Sequence, residues 1–298
     1  MSPLSDASTD MPLPPPDPVP APLVALRADI DAIDTALHDL LMRRADVVAR
    51  IAALRSKAGV PLRAGREAEI IRTLLARHHG PMPEGAVVRI WRELLSAMTS
   101  MQAKLRIATC DPDGAGVLPR LAREHFGALT PVRVHGSPMQ AISEARAGTA
   151  GVAVVPLPTE DEAASAAWWT ALLHRDHPRV HVVARLPFWL PAEGGTPAAA
   201  LAVSVVPPDP SGRDRSLVGL ELPRTMSRAR LAEQVERAGI AQRQLLVRRD
   251  GATGNALVLM ETEGLLSDED ERLARLDALP RPPVVIGGYA VPVRGEAA

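Results

Sequence analysis

Apolar residues in the first third of the chain recur at three- and four-residue steps, the period of a helix with one apolar face. Leu23, Leu26, Ile30, Ile33, Leu37, Leu40, Leu41, Val47, Val48, Ile51 and Leu54 form one such stripe, and neither Gly nor Pro interrupts it before Gly59-Val60-Pro61. The pattern predicts a single long amphipathic helix beginning near Leu23. Roughly 35 residues at about 1.5 Å each span about 50 Å, more than a domain of about 80 residues covers by itself, so this helix calls for a partner chain. Two further helices are predicted: about Arg66 to Arg77, carrying Ile70, Ile71, Leu74 and Leu75, and Glu84 to Lys104, carrying Val87, Val88, Trp91, Leu94, Leu95 and Met98. The breaker-rich run His78-His79-Gly80-Pro81-Met82-Pro83 divides them. The first module is therefore all-helical, over residues 22–104.

From Leu105 the period moves toward two. Short Val- and Ala-rich runs (Leu105 to Thr109, Val132 to Val134, Gly151 to Pro156) alternate with helical stretches near Val117 to Phe126 and Met139 to Ala147, a pattern that predicts a parallel α/β lobe over residues 105–206. A strand at Leu201 to Val206 and a linker at 207–213 follow. The last stretch, 214–294, reads strand, helix, strand, strand, helix, strand: Ser216 to Leu222, Ser227 to Ala238, Gln242 to Arg248, Ala256 to Thr262, Asp268 to Leu276 and Val284 to Val293. That order is the ferredoxin-type split βαβ unit repeated. Residues 1–21, acidic and rich in proline, predict a disordered tail with the composition of neither a signal peptide nor a membrane anchor.

Composition narrows the function classes. The chain of 298 residues carries a net charge of −1, without the basic excess that nucleic acid or an anionic membrane surface selects. Its one cysteine, Cys110, excludes an intrachain disulfide and a cysteine-cluster zinc site, and fits a reducing cytoplasm, where the residue serves as a small buried hydrophobe. Charge is nevertheless uneven: between Leu40 and Arg77 nine basic residues face three acids. Arg44 and Arg55, eleven residues apart, project from nearly one face of the long helix, which can hold an anion or be a solvated stripe.

The runs Ala25-Leu26-Arg27-Ala28-Asp29-Ile30, Leu40-Leu41-Met42-Arg43-Arg44, Ile51-Ala52-Ala53-Leu54-Arg55, Gly59-Val60-Pro61, Arg66-Glu67 and Trp91-Arg92-Glu93-Leu94-Leu95-Ser96, closing at Gln102, resemble the all-helical class of chorismate mutase. The resemblance implies an intertwined homodimer that rearranges chorismate to prephenate for aromatic amino-acid synthesis by a concerted pericyclic shift, with no metal or organic cofactor. Carried over residue by residue, it implies that Arg27 of one chain and Arg44 of the other clamp the substrate carboxylates, with Arg66 adding a third contact. Arg55 and Gln102 would donate to the breaking ether oxygen, and Glu67 would accept from the ring hydroxyl. Two positions depart from the family pattern: Ala64 stands where an acid is usual, and Met98 where a serine is common, with Ser96 close by.

Leu105 to Gly114 and Ala147 to Pro158 resemble the first lobe of prephenate dehydratase, and Ser216 to Val293 resembles the ACT domain that follows it. The dehydratase resemblance is catalytically incomplete. Ala115 and Val117 replace the small hydroxyl residues of the glycine-rich turn, Thr159-Glu160 replaces an Asn/Ser pair, and Ala198 to Val203 stands in place of the Thr-Arg-Phe signature. The expectation is a mutase fused to a dehydratase-like half without dehydratase activity. The ACT resemblance implies an aromatic amino acid as effector, although Ser227-Arg228-Ala229 alters its ligand turn. Two alternatives stay open: a still bifunctional mutase and dehydratase, and a non-catalytic sensor of an aromatic metabolite. Weaker signals fail on particulars. Pro119 occupies the third glycine of a dinucleotide fingerprint, Ala122 the last acid of a calcium loop, and Pro178 breaks the His174, His177, His181 spacing.

Overall fold

The computed structural model describes residues 20–54, 61–163, 166–193, 198–249 and 255–295. The tail expected over 1–21 lies outside the described residues up to position 19. The described residues form two compact units that part after Leu54.

The first unit is one helix, α1 (Ala21–Leu54), uninterrupted for 34 residues as its apolar period predicts. No residue of α1 is buried, and Leu26, Ile30, Ile33, Leu37 and Leu40 are each more than half exposed. An amphipathic helix draws most of its stability from covering that face.

The second unit opens with α2 (Ala64–Ala76) and α3 (Glu84–Gln102). It continues through β1 (Ile107–Cys110), α4 (Val117–Phe126), β2 (Val132–His135), α5 (Pro138–Arg146) and β3 (Val152–Pro156). After a 3-10 helix at Trp168–His174 come β4 (His181–Leu186), β5 (Trp189–Leu190), β6 (Ala200–Ser204), β7 (Asp214–Leu222), α6 (Arg228–Arg237), β8 (Gln242–Arg249), β9 (Ala256–Glu263), β10 (Val284–Ala290) and β11 (Val293–Arg294). Nine strands form one sheet in the order β2-β1-β3-β6-β4-β10-β7-β9-β8. Strands β2, β1 and β3 are parallel, as the strand and helix alternation predicts. The four strands β10, β7, β9 and β8 are antiparallel, and β7, α6 and β8 enclose β9 as a split βαβ unit.

The two halves of the sheet meet where β10 pairs with β4, Gly287 opposite Val182. Gly287 has φ +131°, and a Cβ there would run into the backbone N and O of Val182, so the junction needs glycine. The α/β lobe and the C-terminal region, expected on either side of a linker, thus share one sheet. The segment 207–213 carries Asp209 and Ser211, which hold α2 (below).

The helix expected over Asp268 to Leu276 is absent save for a 3-10 turn at Leu273–Arg275. The Asp268 carboxylate instead accepts from the Val285 N–H at 2.8 Å and from Arg179 at 2.5 Å, and pairs with Arg175 at 3.2 Å, which holds the segment against the sheet. Only Leu273 and Leu276 are buried in the stretch, too few for an amphipathic helical face. The sequence pattern predicts neither strand β4 nor the 3-10 helix. The helix buries Trp168 and Trp169 against the sheet, together with Leu201, Leu217 and Leu259. Cys110 is buried as expected, and burial pushes its thiol up to about 11. No helix among the described residues is long and apolar enough to cross a membrane.

Candidate active site

Arg27 and Arg44 both project from α1, seventeen residues apart in the sequence. On a straight helix that spacing is about 25 Å along the axis, far more than the length of one small dianion. One α1 therefore cannot present both guanidiniums to one substrate. Arg55, immediately after α1, lies outside the described residues.

Arg66 and Glu67 occupy the first turn of α2, where an acid meets the positive helix end. Asp209 holds this turn: its carboxylate accepts from the Gly65 N–H at 2.8 Å, the Arg66 N–H at 3.2 Å and Arg63 Nε at 3.0 Å. Gly65 is required by the approach, because a Cβ there would meet the Pro210 carbonyl oxygen at 2.7 Å. The Arg66 side chain is exposed and pairs with Glu69 at 2.9 Å. Glu67 turns inward instead, and its Oε2 accepts from Arg92 Nη1 of α3 at 3.0 Å. Burial raises the Glu67 carboxyl above the usual carboxylate range, against the pull of Arg92. Burial also lowers Arg92, to about 10, so the guanidinium keeps its charge at neutral pH. The Arg92 guanidinium lies over the Phe188 ring, 5.2 Å from its centroid.

Sequence reasoning did not single out Arg92 as a site residue. The available signal is its place on the apolar face of α3, three and four residues from Leu95 and Val88, both buried. Gln102, the last residue of α3, donates from Nε2 to the Met98 carbonyl at 3.3 Å. It stands ten residues beyond Arg92, about 15 Å along the helix, so α3 does not bring Gln102 and the Glu67 pair together. Ser96 does not substitute for the missing serine, because its hydroxyl is engaged by the Phe126 carbonyl and, at 3.0 Å, by Thr130.

His125 of α4 is buried close to Arg92. Burial, and then the Arg92 charge, depress its imidazole well below the ordinary 6.5. The folded chain therefore keeps His125 neutral while the unfolded chain protonates it below about pH 6.5. Its contribution to stability is complete above that pH and is lost as pH falls, by about 1.4 kcal/mol per unit. Urea unfolding between about pH 6.5 and 5 should show a steeper loss in the native chain than in His125→Gln, since the partly buried His181, also depressed, contributes equally to both. Parallel curves would mean that His125 is protonated in the fold.

Comparison with known proteins accords with the helical module. Residues 26–103 match the family model described as chorismate mutase type II. A bifunctional chorismate mutase/prephenate dehydratase of Pseudomonas aeruginosa is 30% identical over 152 residues, which cover 48% of this chain and 40% of that protein. This chain thus matches about two fifths of the length of that relative. A 4-amino-4-deoxychorismate mutase of Streptomyces venezuelae is 31% identical over 83 residues, 27% of this chain and 80% of the relative. Among solved structures, a prephenate dehydratase from Streptococcus mutans aligns at 16% identity with a TM-score of 0.46, covering 64% of this chain and 99% of that one. Through its helical module, the chain belongs to the chorismate mutase type II family.

Proposed function

We propose that the chain is a dimeric chorismate mutase that rearranges chorismate to prephenate in the cytoplasm, and that its dehydratase- and ACT-like half performs no dehydration. The observation that carries this reading is α1 itself. Its apolar stripe is uncovered, and its two clamp arginines stand about 25 Å apart, so a complete clamp takes Arg44 from one chain and Arg27 from a second. In that site the arginines hold the two substrate carboxylates as planar forks and select the compact conformer in which the reacting carbons meet. Arg55 and Gln102 stabilise negative charge growing on the ether oxygen as its bond to carbon breaks. The family resemblance gives the ring hydroxyl to Glu67, whose Oε2 is fixed by Arg92 and whose Oε1 has no partner among the described residues. With Gln102 about 15 Å along α3 from Arg92, this chain's geometry supports that contact less than it supports the arginine clamp. Bond making and breaking are concerted within the substrate, so no proton or electron leaves it. An aromatic amino acid is the effector class that fits the ACT-like region.

The test is chorismate consumption by the full-length chain, with prephenate read as phenylpyruvate after acidification. Arg44→Ala should lower kcat/KM by about 100-fold or more. No turnover by a folded dimer would favour the sensor reading. Phenylpyruvate formed from prephenate without acid would overturn the absence of dehydration.

A further inference from the structure

We propose that the chain carries a second ligand site, where the sheet passes from its α/β half to its four antiparallel strands, that takes a small monocarboxylate with an apolar body and no α-ammonium group. A cavity of about 320 Å³ lies there, within the range of small-molecule pockets. Its apolar wall includes Leu201, Leu217 and Leu259, all buried, with Leu246 nearer the opening.

The other end is polar: Arg185, Tyr289 and Glu261 line it from three strands, and Arg215 reaches Glu261 from a fourth. Arg185 of β4 donates from Nη1 to the Tyr289 hydroxyl of β10 at 3.2 Å and lies 3.6 Å from the Glu261 carboxylate of β9. The same carboxylate takes Arg215 of β7 at 3.4 Å. Glu261 and Tyr289 are buried. Two guanidiniums thus share one carboxylate, which leaves a net positive charge at the end of an otherwise apolar space. Charge in a partly desolvated setting is stabilised by a counter-ion with directed hydrogen bonds, and a ligand carboxylate supplies both. Arg185 has the donors for it: among the described residues its Nε and Nη2 make no hydrogen bond.

The same geometry disfavours an amino acid. Among the described residues the one carboxylate lining the cavity, Glu261, is already shared by two arginines. The remaining side-chain acceptors on Thr159 and Gln244 belong to exposed residues at the rim, where an ammonium gains little over water. Arg185 falls in the stretch where the resemblance to the dehydratase family lapses, although Leu157 and Pro158 of the lining belong to the stretch that resembles it, and the site does not depend on chorismate turnover.

Calorimetric titration of the full-length chain with 3-phenylpropanoate and with L-phenylalanine tests the proposal, because the two probes differ only in the α-ammonium group. The expected result is saturable binding of 3-phenylpropanoate and at least about tenfold weaker binding of L-phenylalanine. Arg185→Gln should raise the 3-phenylpropanoate Kd by about tenfold or more. Leu246→Trp, which fills the cavity from its partly exposed side and leaves Arg185 in place, should abolish binding with the melting temperature retained. Absence of 3-phenylpropanoate binding up to about 10 mM overturns the proposal, as does equal affinity for the two probes or binding indifferent to both substitutions. Chorismate turnover on the same samples reads the mutase separately, and neither substitution should change it.

Discussion

Replacing Arg92 by methionine is expected to lower the unfolding free energy of the full-length chain by about 3–5 kcal/mol, the cost of leaving a buried charge without its partner. The stranded group is Glu67, whose carboxylate has Arg92 Nη1 at 3.0 Å and which burial already pushes toward its neutral form. Arg92 is 5% exposed, and methionine fills similar volume, so loss of packing is a minor part of the effect. The second substitution of the cycle, Glu67→Leu in the Arg92→Met background, should recover most of the loss, since an apolar pair of similar size avoids the desolvation of both charges. Urea unfolding of the four chains measures the coupling directly. A loss below about 1 kcal/mol for Arg92→Met would show that Glu67 finds water or a proton at little cost. Turnover adds a second readout, because Glu67 without Arg92 keeps its acceptor oxygens but loses its alignment. The rate should therefore fall in Arg92→Met even at denaturant-free stability.

The second large effect concerns the join between the helical module and the rest of the chain. A chain ending at Lys104 is expected to lose cooperative melting of α2 and α3 and at least about 100-fold in kcat/KM for chorismate, the scale of a misplaced contact in an oriented site. The reason lies in where α2 finds its partners. Arg72 donates from Nη1 to the Ser211 carbonyl at 2.9 Å and from Nη2 to the Arg213 and Val291 carbonyls at 2.9 and 2.8 Å. Asp209 holds the N–H groups of Gly65 and Arg66, in the turn that carries Glu67. Ala68, Ile71, Val88 and Leu95 complete a small core with Phe188 and Ala290. Every hydrogen bond to a charged group in this set is worth about 1.5–3 kcal/mol, and each large apolar side chain about as much again. Far-UV circular dichroism on heating, with chorismate consumption beside it, gives the answer. Native-like turnover and a sharp melt of the shortened chain would show that the three helices order themselves without the second half. The proposed role for a half without dehydration is thus mechanical: it holds the turn from which Arg66 and Glu67 project.

Much of the secondary structure was legible because its signals are local. The period of α1 depends only on residues three and four apart, and the Gly and Pro around Val117 to Phe126 and Gly151 to Pro156 punctuate the neighbouring elements. The failure at Asp268 to Leu276 has a nonlocal cause. Asp268 reads as a helix-starting acid, but Arg179, 89 positions earlier, and the Val285 N–H claim its carboxylate. Continuity of the sheet was equally hidden, since the approach of Gly287 to Val182 has no trace in either strand's own pattern beyond a glycine.

The candidate mutase residues divide along the same line. The sequence by itself determined a long amphipathic helix with an unsatisfied face and two arginines too far apart on it for one ligand, because helix rise and apolar period follow from neighbouring residues alone. Only the tertiary structure decided that Glu67 is buried against Arg92, 25 residues away, that Asp209 holds the turn bearing Arg66, and that Arg185 and Glu261 line one cavity while Arg215 shares the Glu261 carboxylate. Each of those pairs joins groups distant in the chain, and their energies come from desolvation and directed hydrogen bonds that exist only once the elements have packed.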